Sequence, residues 1–397
     1  MFPLSLAAQG PRRLTLALAF DLAERQNLDL AAARAQRAVA LSGVRIAREL
    51  PNPSIFIGAT RDTPHDSLFF DQPLEVGGQR QRRIDIAQKI TGLTDVDIVA
   101  AERRVRRAVR DAYFGLAYAR GVTRQQADAL KLAQRLQSIA QARFQAGDIA
   151  QLEVTQADLE VARAQASYQV AQQEENVALS DLNALLNEPA SAPWDLGDEF
   201  SSLPPALLLS DLLLRAGDSN AEIARIGQEK RVQQSQTSLL RAERVPTLDL
   251  EFGADMNSHQ QGLPGGWDAG GRGQISMTLP LFSRNQGEIA QSLAAETALD
   301  DNLAAARRAV DARVESAYYD LDARRTQVRL YHDNLIPSSQ RLEEMAEESY
   351  RVGKANILTV LGAQHDVQQV EGGYLDSLLA MQSAFAQLEE AVGAPLD

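Results

Sequence analysis

The chain of 397 residues has no cysteine, only four histidines, 5% aromatic residues and fewer basic than acidic side chains. Without cysteine there is no disulfide framework, no thiolate metal site and no lipid attached through an N-terminal cysteine of this chain. No stretch approaches the roughly 20 apolar residues of a membrane-spanning helix, which leaves a soluble, a peripheral or a strand-inserted protein. The formal net charge of -13 argues against nucleic acid as a partner, because phosphate binding needs a basic surface. Cations are the better match. Scarce aromatics beside abundant Ala, Gln, Arg, Glu and Leu favour long helices over a conventional globular core.

Ligand and catalytic chemistry is equally sparse. His65, His259, His332 and His365 are scattered, with no pair spaced to put two ligands on one helix face. No metal site and no cofactor is expected, beyond at most a transient surface site where Asp62 and Asp66 flank His65. The stretch GGWDAGGRG (265–273) resembles a phosphate loop only superficially: it lies between two predicted strands, and no Gly-Lys-Ser/Thr follows. It is expected to be a flexible loop, with Trp267 either at a lipid-water boundary, where indole is favoured, or capping the loop. No nucleophile-base pair stands out, so no enzyme is expected.

What the sequence does hold is one pattern written twice. NLDLAAARAQRAVALSGVRIARELPNPSIFIG (27–58) aligns with NAEIARIGQEKRVQQSQTSLLRAERVPTLDLEFG (220–253), placing Asn27 on Asn220 and Pro53 on Pro246. VRDAYFGLAYAR (109–120) falls on VESAYYDLDARR (314–325), and RFQAGDIAQLEV (143–154) on YRVGKANILTVL (350–361), with Gly147 on Gly353. Each half runs helix, two strands, very long helix, glycine turn, helix. The first repeat is placed at 1–190 and the second at 207–397, with hairpin tips at about 144–152 and 350–358 and a Pro- and Ser-rich connector at 191–206. At the start, the apolar Leu14 to Phe20 imitates a signal peptide, but a small-residue cleavage site is lacking. The repeat favours a structural helix there, and any secretory signal is expected to lie outside the chain as given.

The last helix of each half has a seven-residue apolar repeat. Val154, Val161, Tyr168 and Leu182 interleave with Ala157, Ala164, Ala171, Ala178 and Leu185, and Glu175 is the one break. In the second half Val360, Val367, Tyr374, Met381 and Leu388 interleave with Ala363, Val370, Ser377, Ala384 and Ala391. This period makes a left-handed coiled-coil seam, and alanine lets the helices approach closely. The preceding helices, about 80–145 and 286–350, would each extend roughly 100 Å.

Four strands are predicted: Ser54 to Arg61, Leu68 to Val76, Thr247 to Met256 and Gln274 to Phe282. Leu248, Leu250, Phe252, Ala254 and Met256 alternate with Asp249, Glu251, Gly253 and Asp255, and Ile275, Met277, Leu279 and Leu281 with Gln274, Ser276 and Thr278. This is the pattern of a sheet with one apolar and one wet face, at lengths that would cross a bilayer on a tilt. Four strands cannot enclose a lumen, and open edges do not exist in lipid. Inserted strands would therefore be pooled between subunits.

These motifs resemble the TolC-like outer-membrane factor family, the outer membrane efflux proteins, over about residues 14–393. QPLEVGGQRQRRIDIA (72–87) and LPLFSRNQGEIAQ (279–291) match its two strand-to-helix junctions, and RFQAGDIAQLEV and YRVGKANILTV its two hairpin tips. PNPSIFIG and GGQR look most like the cobalt-zinc-cadmium heavy-metal resistance branch. The resemblance implies a mainly α fold with a small membrane portion. Three chains would share one twelve-stranded β-barrel in the outer membrane of a Gram-negative bacterium, continued by a long α-helical barrel in the periplasm. Leu248, Leu250, Phe252, Ile275, Met277 and Leu279 would face lipid. Pro73 and Pro280 would sit where the sheet ladder ends, since proline has no N–H to donate, and Gly77, Gly78 and Gly287 would ease the turn into the helices.

The resemblance also implies partners. The tips, with Ala146, Gly147, Asp148, Val352, Gly353 and Lys354, would dock a periplasmic adaptor (membrane fusion) protein, which holds an inner-membrane RND-type pump. Glu153 matches a position where relatives place an acidic ring that constricts the pore, and such a ring would attract cations. Thr359 and Gly362, at the corresponding places of the second half, carry no carboxylate, and Asp158 and Asp366 are expected on solvated helix faces. The expected function is the exit duct of a tripartite efflux system, a passive conduit for heavy-metal cations or small molecules. The alternatives are the exit duct of a drug-efflux or type I secretion system, or a soluble duplicated coiled-coil scaffold with internal sheets.

Overall fold

The computed structural model describes residues 12–61, 66–258 and 267–396. In chain order these form β1 (Arg12–Leu14), α1 (Leu16–Gln26), α2 (Leu28–Arg48), β2 (Ser54–Ala59), β3 (Asp66–Leu74), α3 (Gln79–Gln145), α4 (Gln151–Leu186) and β4 (Trp194–Leu196). There follow α5 (Leu209–Ser219), α6 (Ala221–Ala242), β5 (Leu248–Ser258), β6 (Trp267–Met277), α7 (Gln286–Leu330), α8 (Ile336–Arg351) and α9 (Ile357–Val392). The chain forms two compact units. One takes the described parts of 1–32, 99–220 and 308–397, the other those of 33–98 and 221–307, so each draws on both halves of the sequence.

In the first unit α4 and α9, both 36 residues long, carry the predicted seams. Val154, Ala157, Ala164, Ala171 and Leu182 are buried on α4, and Val360, Ala363, Val367, Met381, Ala384 and Leu388 on α9. Glu175, the break in the first series, pairs with Arg120 at 3.3 Å. The same guanidinium donates to the Trp194 carbonyl at 2.7 Å, so a charge at a seam position is compensated rather than simply buried. The apolar start of the chain is a helix, α1, capped by Thr15, whose hydroxyl accepts from the Leu18 amide.

The segment predicted as a connector is tied down. It contains β4, which pairs in parallel with β1. Tyr113 donates to the Leu14 carbonyl at 3.0 Å and to Asp198 at 2.9 Å, while Gln382 donates to the Ser202 carbonyl and Arg325 to those of Pro204 and Pro205. Backbone groups that a proline-rich strand cannot pair with its neighbours are thus satisfied by side chains.

Helix α3 is one element of 67 residues, about 100 Å at 1.5 Å per residue. Its counterpart is not continuous over 286–350 as predicted. A π-helical turn at Tyr331–Leu335 separates α7 from α8. Pro337 explains it: proline has no N–H for the carbonyl four residues back, and its ring crowds that carbonyl. The turn widens, and the Ile336 amide bonds the Tyr331 carbonyl instead. Gly373 on α9 makes the room, since a Cβ there would lie 2.5 Å from the Tyr331 hydroxyl.

The second unit holds an antiparallel sheet of order β2-β3-β5-β6. Two strand boundaries differ materially from the prediction. β3 begins at Asp66 and ends at Leu74, and β6 spans Trp267–Met277 instead of Gln274 to Phe282. The glycine-rich stretch expected as a loop is therefore strand from Trp267 onward. Gly270, Gly271 and Gly273 pair with Asp255, Ala254 and Phe252 of β5; main-chain pairing needs no side chain, and an adjacent long strand overrides poor β-propensity. Leu279 lies beyond β6, where Pro280 prevents further pairing. His65, His259, Asp62 and the Trp267 side chain lie outside the described residues.

Candidate functional site

The register collects most of the apolar residues of the four strands on one face, Phe56 and Phe69 excepted. Leu74, Leu248 and Met277 share a row, Leu250 and Ile275 the next, and Ile55, Phe70 and Phe252 a third, followed by Ile57, Leu68 and Ala254. Phe70 and Phe252 touch with ring centroids 4.8 Å apart. Among the described residues no element covers this face: Ile57 is 77% exposed, Ile275 71% and Phe252 57%. A contiguous apolar surface of this extent marks contact with a membrane or a protein. Five of the six expected lipid-facing residues lie on it; Leu279 does not.

The opposite face is mainly polar, with Phe56 exposed on its outer strand. It carries Asp71, Asp249, Glu251, Asp255 and Arg272, with Phe69 buried beneath the Arg272 guanidinium at 4.2 Å.

The junctions between strand and helix are built differently in the two halves. After β3 the chain turns within four residues. Gly78 has φ +77, and a Cβ on Gly77 would lie 2.6 Å from that of Val245 and 2.7 Å from the Ala242 carbonyl. Gln79 donates to the Val245 carbonyl and Arg83 grips Glu75 with both nitrogens. Pro73 is still within β3, opposite Asp249, but β2 has already ended opposite Asp71, so one flank there has no partner to miss its N–H. After β6, by contrast, eight residues precede α7 instead of a direct passage. The positive φ falls on Asn285 (+53) and not on Gly287, which is helical. Asn enters this region more readily than most residues, and its side chain is anchored across to α6, donating to the Leu240 carbonyl at 3.3 Å. Leu279, Leu281 and Phe282 are left exposed in this segment.

The two tips share one geometry. Gly147 (φ +82) donates to the Phe144 carbonyl and Asp148 to that of Arg143; Gly353 (φ +76) donates to Tyr350 and Lys354 to Ser349. Both are Schellman ends, which satisfy the last helix carbonyls with a left-handed residue. Ala146, Gly147, Asp148, Val352, Gly353 and Lys354 are all exposed. The following helices differ, for Asn356 caps α9 by accepting from the Thr359 amide at 3.0 Å, whereas Ala150 offers α4 no side-chain cap.

Glu153 sits one turn inside, half-buried, with one carboxylate oxygen enclosed and without a hydrogen-bond partner among the described residues. Arg143 joins the two hairpins: it donates to the Tyr350 carbonyl at 3.2 Å and stands 5.0 Å from the Tyr350 ring centroid. Burial pushes the Tyr350 phenol up and the Glu153 charge adds to this, while Arg143 pulls the other way. Asp158 is exposed and accepts from Gln137; Asp366 is also exposed. Among the described residues no group of three His, Asp or Glu could hold a metal ion, and His332 lies beside Asp333 at 2.8 Å.

Comparisons with known proteins agree with this geometry. The chain is 26% identical over 400 residues to the cobalt-zinc-cadmium resistance protein CzcC of Cupriavidus metallidurans, across 97% of this chain and 91% of that one. Its fold is similar to that of a membrane protein from Pseudomonas aeruginosa, with TM-score 0.78 at 19% identity over 95% of this chain and 92% of that one. It is similar also to that of CusC, with TM-score 0.78 at 18% identity over 98% and 96%. Residues 19–188 and 212–394 match the family model described as outer membrane efflux protein. The chain therefore belongs to the outer membrane efflux protein family and is an outer-membrane efflux channel.

Proposed function

We propose that three copies of this chain close a single β-barrel in the outer membrane of a Gram-negative bacterium and form the passive exit duct of a tripartite heavy-metal efflux system. One observation carries this reading: a four-stranded sheet whose apolar face is uncovered and whose two edges are unpaired among the described residues. Such edges cannot be left unpaired in hydrocarbon, so neighbouring copies must pair them. The helices would continue the wall into the periplasm, where Ala146, Gly147, Asp148, Val352, Gly353 and Lys354 would meet a periplasmic adaptor coupled to an inner-membrane RND-type pump. Glu153, near the tips, would narrow the entrance. The likeness to CzcC favours heavy-metal cations as cargo, and the net charge of -13 suits them. The duct itself would perform no chemistry.

The deciding experiment is the native mass of the protein extracted in detergent from the outer-membrane fraction after expression behind a secretory signal. A trimer supports the shared barrel. A monomer or dimer released by salt buffer without detergent would mean that the strands never meet lipid, and a coiled-coil scaffold would replace this function. Cargo is tested separately, by loss of zinc, cobalt or cadmium tolerance when the gene is deleted.

A further inference from the structure

The polar face of the sheet has an unusual charge arrangement. Asp249 stands in one row with Pro73 and Ser276, and Asp71, Glu251 and Gln274 share the next. Gly253 then lies between Phe69 and Arg272, and Asp255 follows. Asp71 and Glu251 are direct cross-strand neighbours, a like-charge pairing that destabilises a sheet. Against these four carboxylates Arg272 is the one basic side chain on the face among the described residues.

Arg272 is held in place from three sides. It lies 3.4 Å from Glu251, 3.8 Å from Asp255 and 4.2 Å over the ring of Phe69. Gly253 lets β3 and the Phe69 ring that supports the guanidinium come close: a Cβ at that position would collide with the Leu68 carbonyl and lie 2.6 Å from the Phe69 ring. The guanidinium is thus fixed on the wall instead of swinging free, and it offsets Glu251 and Asp255. Asp71 and Asp249 have no cationic partner among the described residues, so the face stays acidic.

We propose that Arg272 sets the ion selectivity of the barrel. The inference rests on the channel reading above, in which the apolar face meets lipid and this face lines the lumen. Fixed charges on a pore wall weight cations against anions, and symmetry repeats each charge around the ring. Arg272 then keeps the lumen from being more strongly cation-favouring than it is, while Asp71 and Asp249 supply the uncompensated attraction.

The test is the reversal potential of purified wild-type channels in planar bilayers under a potassium chloride gradient, compared with Arg272→Gln, Arg272→Lys and Asp249→Asn. Arg272→Gln should raise the potassium-to-chloride permeability ratio roughly twofold or more, and Arg272→Lys should restore it. Asp249→Asn should lower it. The differences should shrink from 0.1 M to 1 M salt, as the Debye length falls from about 10 Å to about 3 Å. If Arg272→Gln fails to assemble, Arg272→Met, which keeps an unbranched stem over Phe69, carries the same expectation. Conducting channels with unchanged selectivity would overturn the assignment of Arg272. Absence of any conductance from the wild type would instead overturn the channel reading beneath it.

Discussion

Asn27 binds the end of α4 to the start of α2: its Nδ2 donates to the Leu185 carbonyl at 3.0 Å while its Oδ1 accepts from the Leu30 amide at 3.0 Å. Asn220 repeats the first contact in the other half, donating to the Ala391 carbonyl at 2.8 Å. Both side chains are buried, and each stands between two consecutive helices. Replacing Asn27 by Leu strands a carbonyl and an amide, at a cost of about 1 to 3 kcal/mol for each buried group left unpaired. The thermal midpoint of Asn27→Leu in detergent should fall well below that of wild type, and Asn220→Leu should show a comparable loss. An unchanged midpoint for either would show that these contacts hold nothing.

Leu250 tests the face of the sheet. It lies on the uncovered apolar side, opposite Gln72 and Ile275. An arginine facing hydrocarbon costs about 2 to 4 kcal/mol at the bilayer midplane. Leu250→Arg should reduce heat-resistant trimer in the outer-membrane fraction, whereas Asp249→Arg, one residue away on the polar face, should insert. Equal insertion of both would overturn the assignment of this face to lipid.

How much of this was legible in the sequence follows from what each feature depends on. The heptads of α4 and α9 declare themselves because a period needs no context. Gly147 and Gly353 were legible as helix ends because only a left-handed residue closes a Schellman turn cheaply. Asn27 and Asn220 align in the repeat, yet their role depends on Leu185 and Ala391, which the fold brings to them. The start of β6 gave no signal, because Gly270, Gly271 and Gly273 join the sheet through backbone groups alone. The sequence reading runs the helix straight through Pro337, and a widened turn there rather than a break requires the space at Gly373, which only the fold supplies. Arg272 shows its importance only when β3, β5 and β6 are in register beside one another.

The tips make a prediction about binding and not about folding. Gly147 and Gly353 both have positive φ, and no atom lies near the place of a Cβ at Gly147. A valine there meets backbone strain of about 1 to 2 kcal/mol, confined to a turn at the end of two long helices. Gly147→Val and Gly353→Val should each weaken crosslinking to the periplasmic adaptor while the trimer survives in detergent. Full crosslinking in the double variant would place the docking surface elsewhere.

Between α8 and α9 two carboxyl groups share a confined space. Burial raises the Glu343 pKa, and the charges of Glu371, Glu347 and Glu344 raise it further. Burial likewise raises that of Glu371, with Asp128 on α3 adding to the effect and hydrogen bonds from Gln340 and Gln125 opposing it. The nearby cations are already engaged: Lys131 pairs with Asp128 at 2.8 Å and Arg135 with Glu347 at 3.3 Å. A carboxyl whose folded pKa lies above its unfolded value binds its proton more tightly when folded. Its contribution is therefore complete below the ordinary carboxylate value of 4.5 and is lost as pH rises through the folded value. The hairpin should be more stable in mild acid than at neutral pH, and Glu371→Gln should raise the thermal midpoint at pH 7 and flatten its dependence on pH above 4.5. A midpoint of Glu371→Gln that follows the wild-type pH profile would show that this pair carries no repulsion.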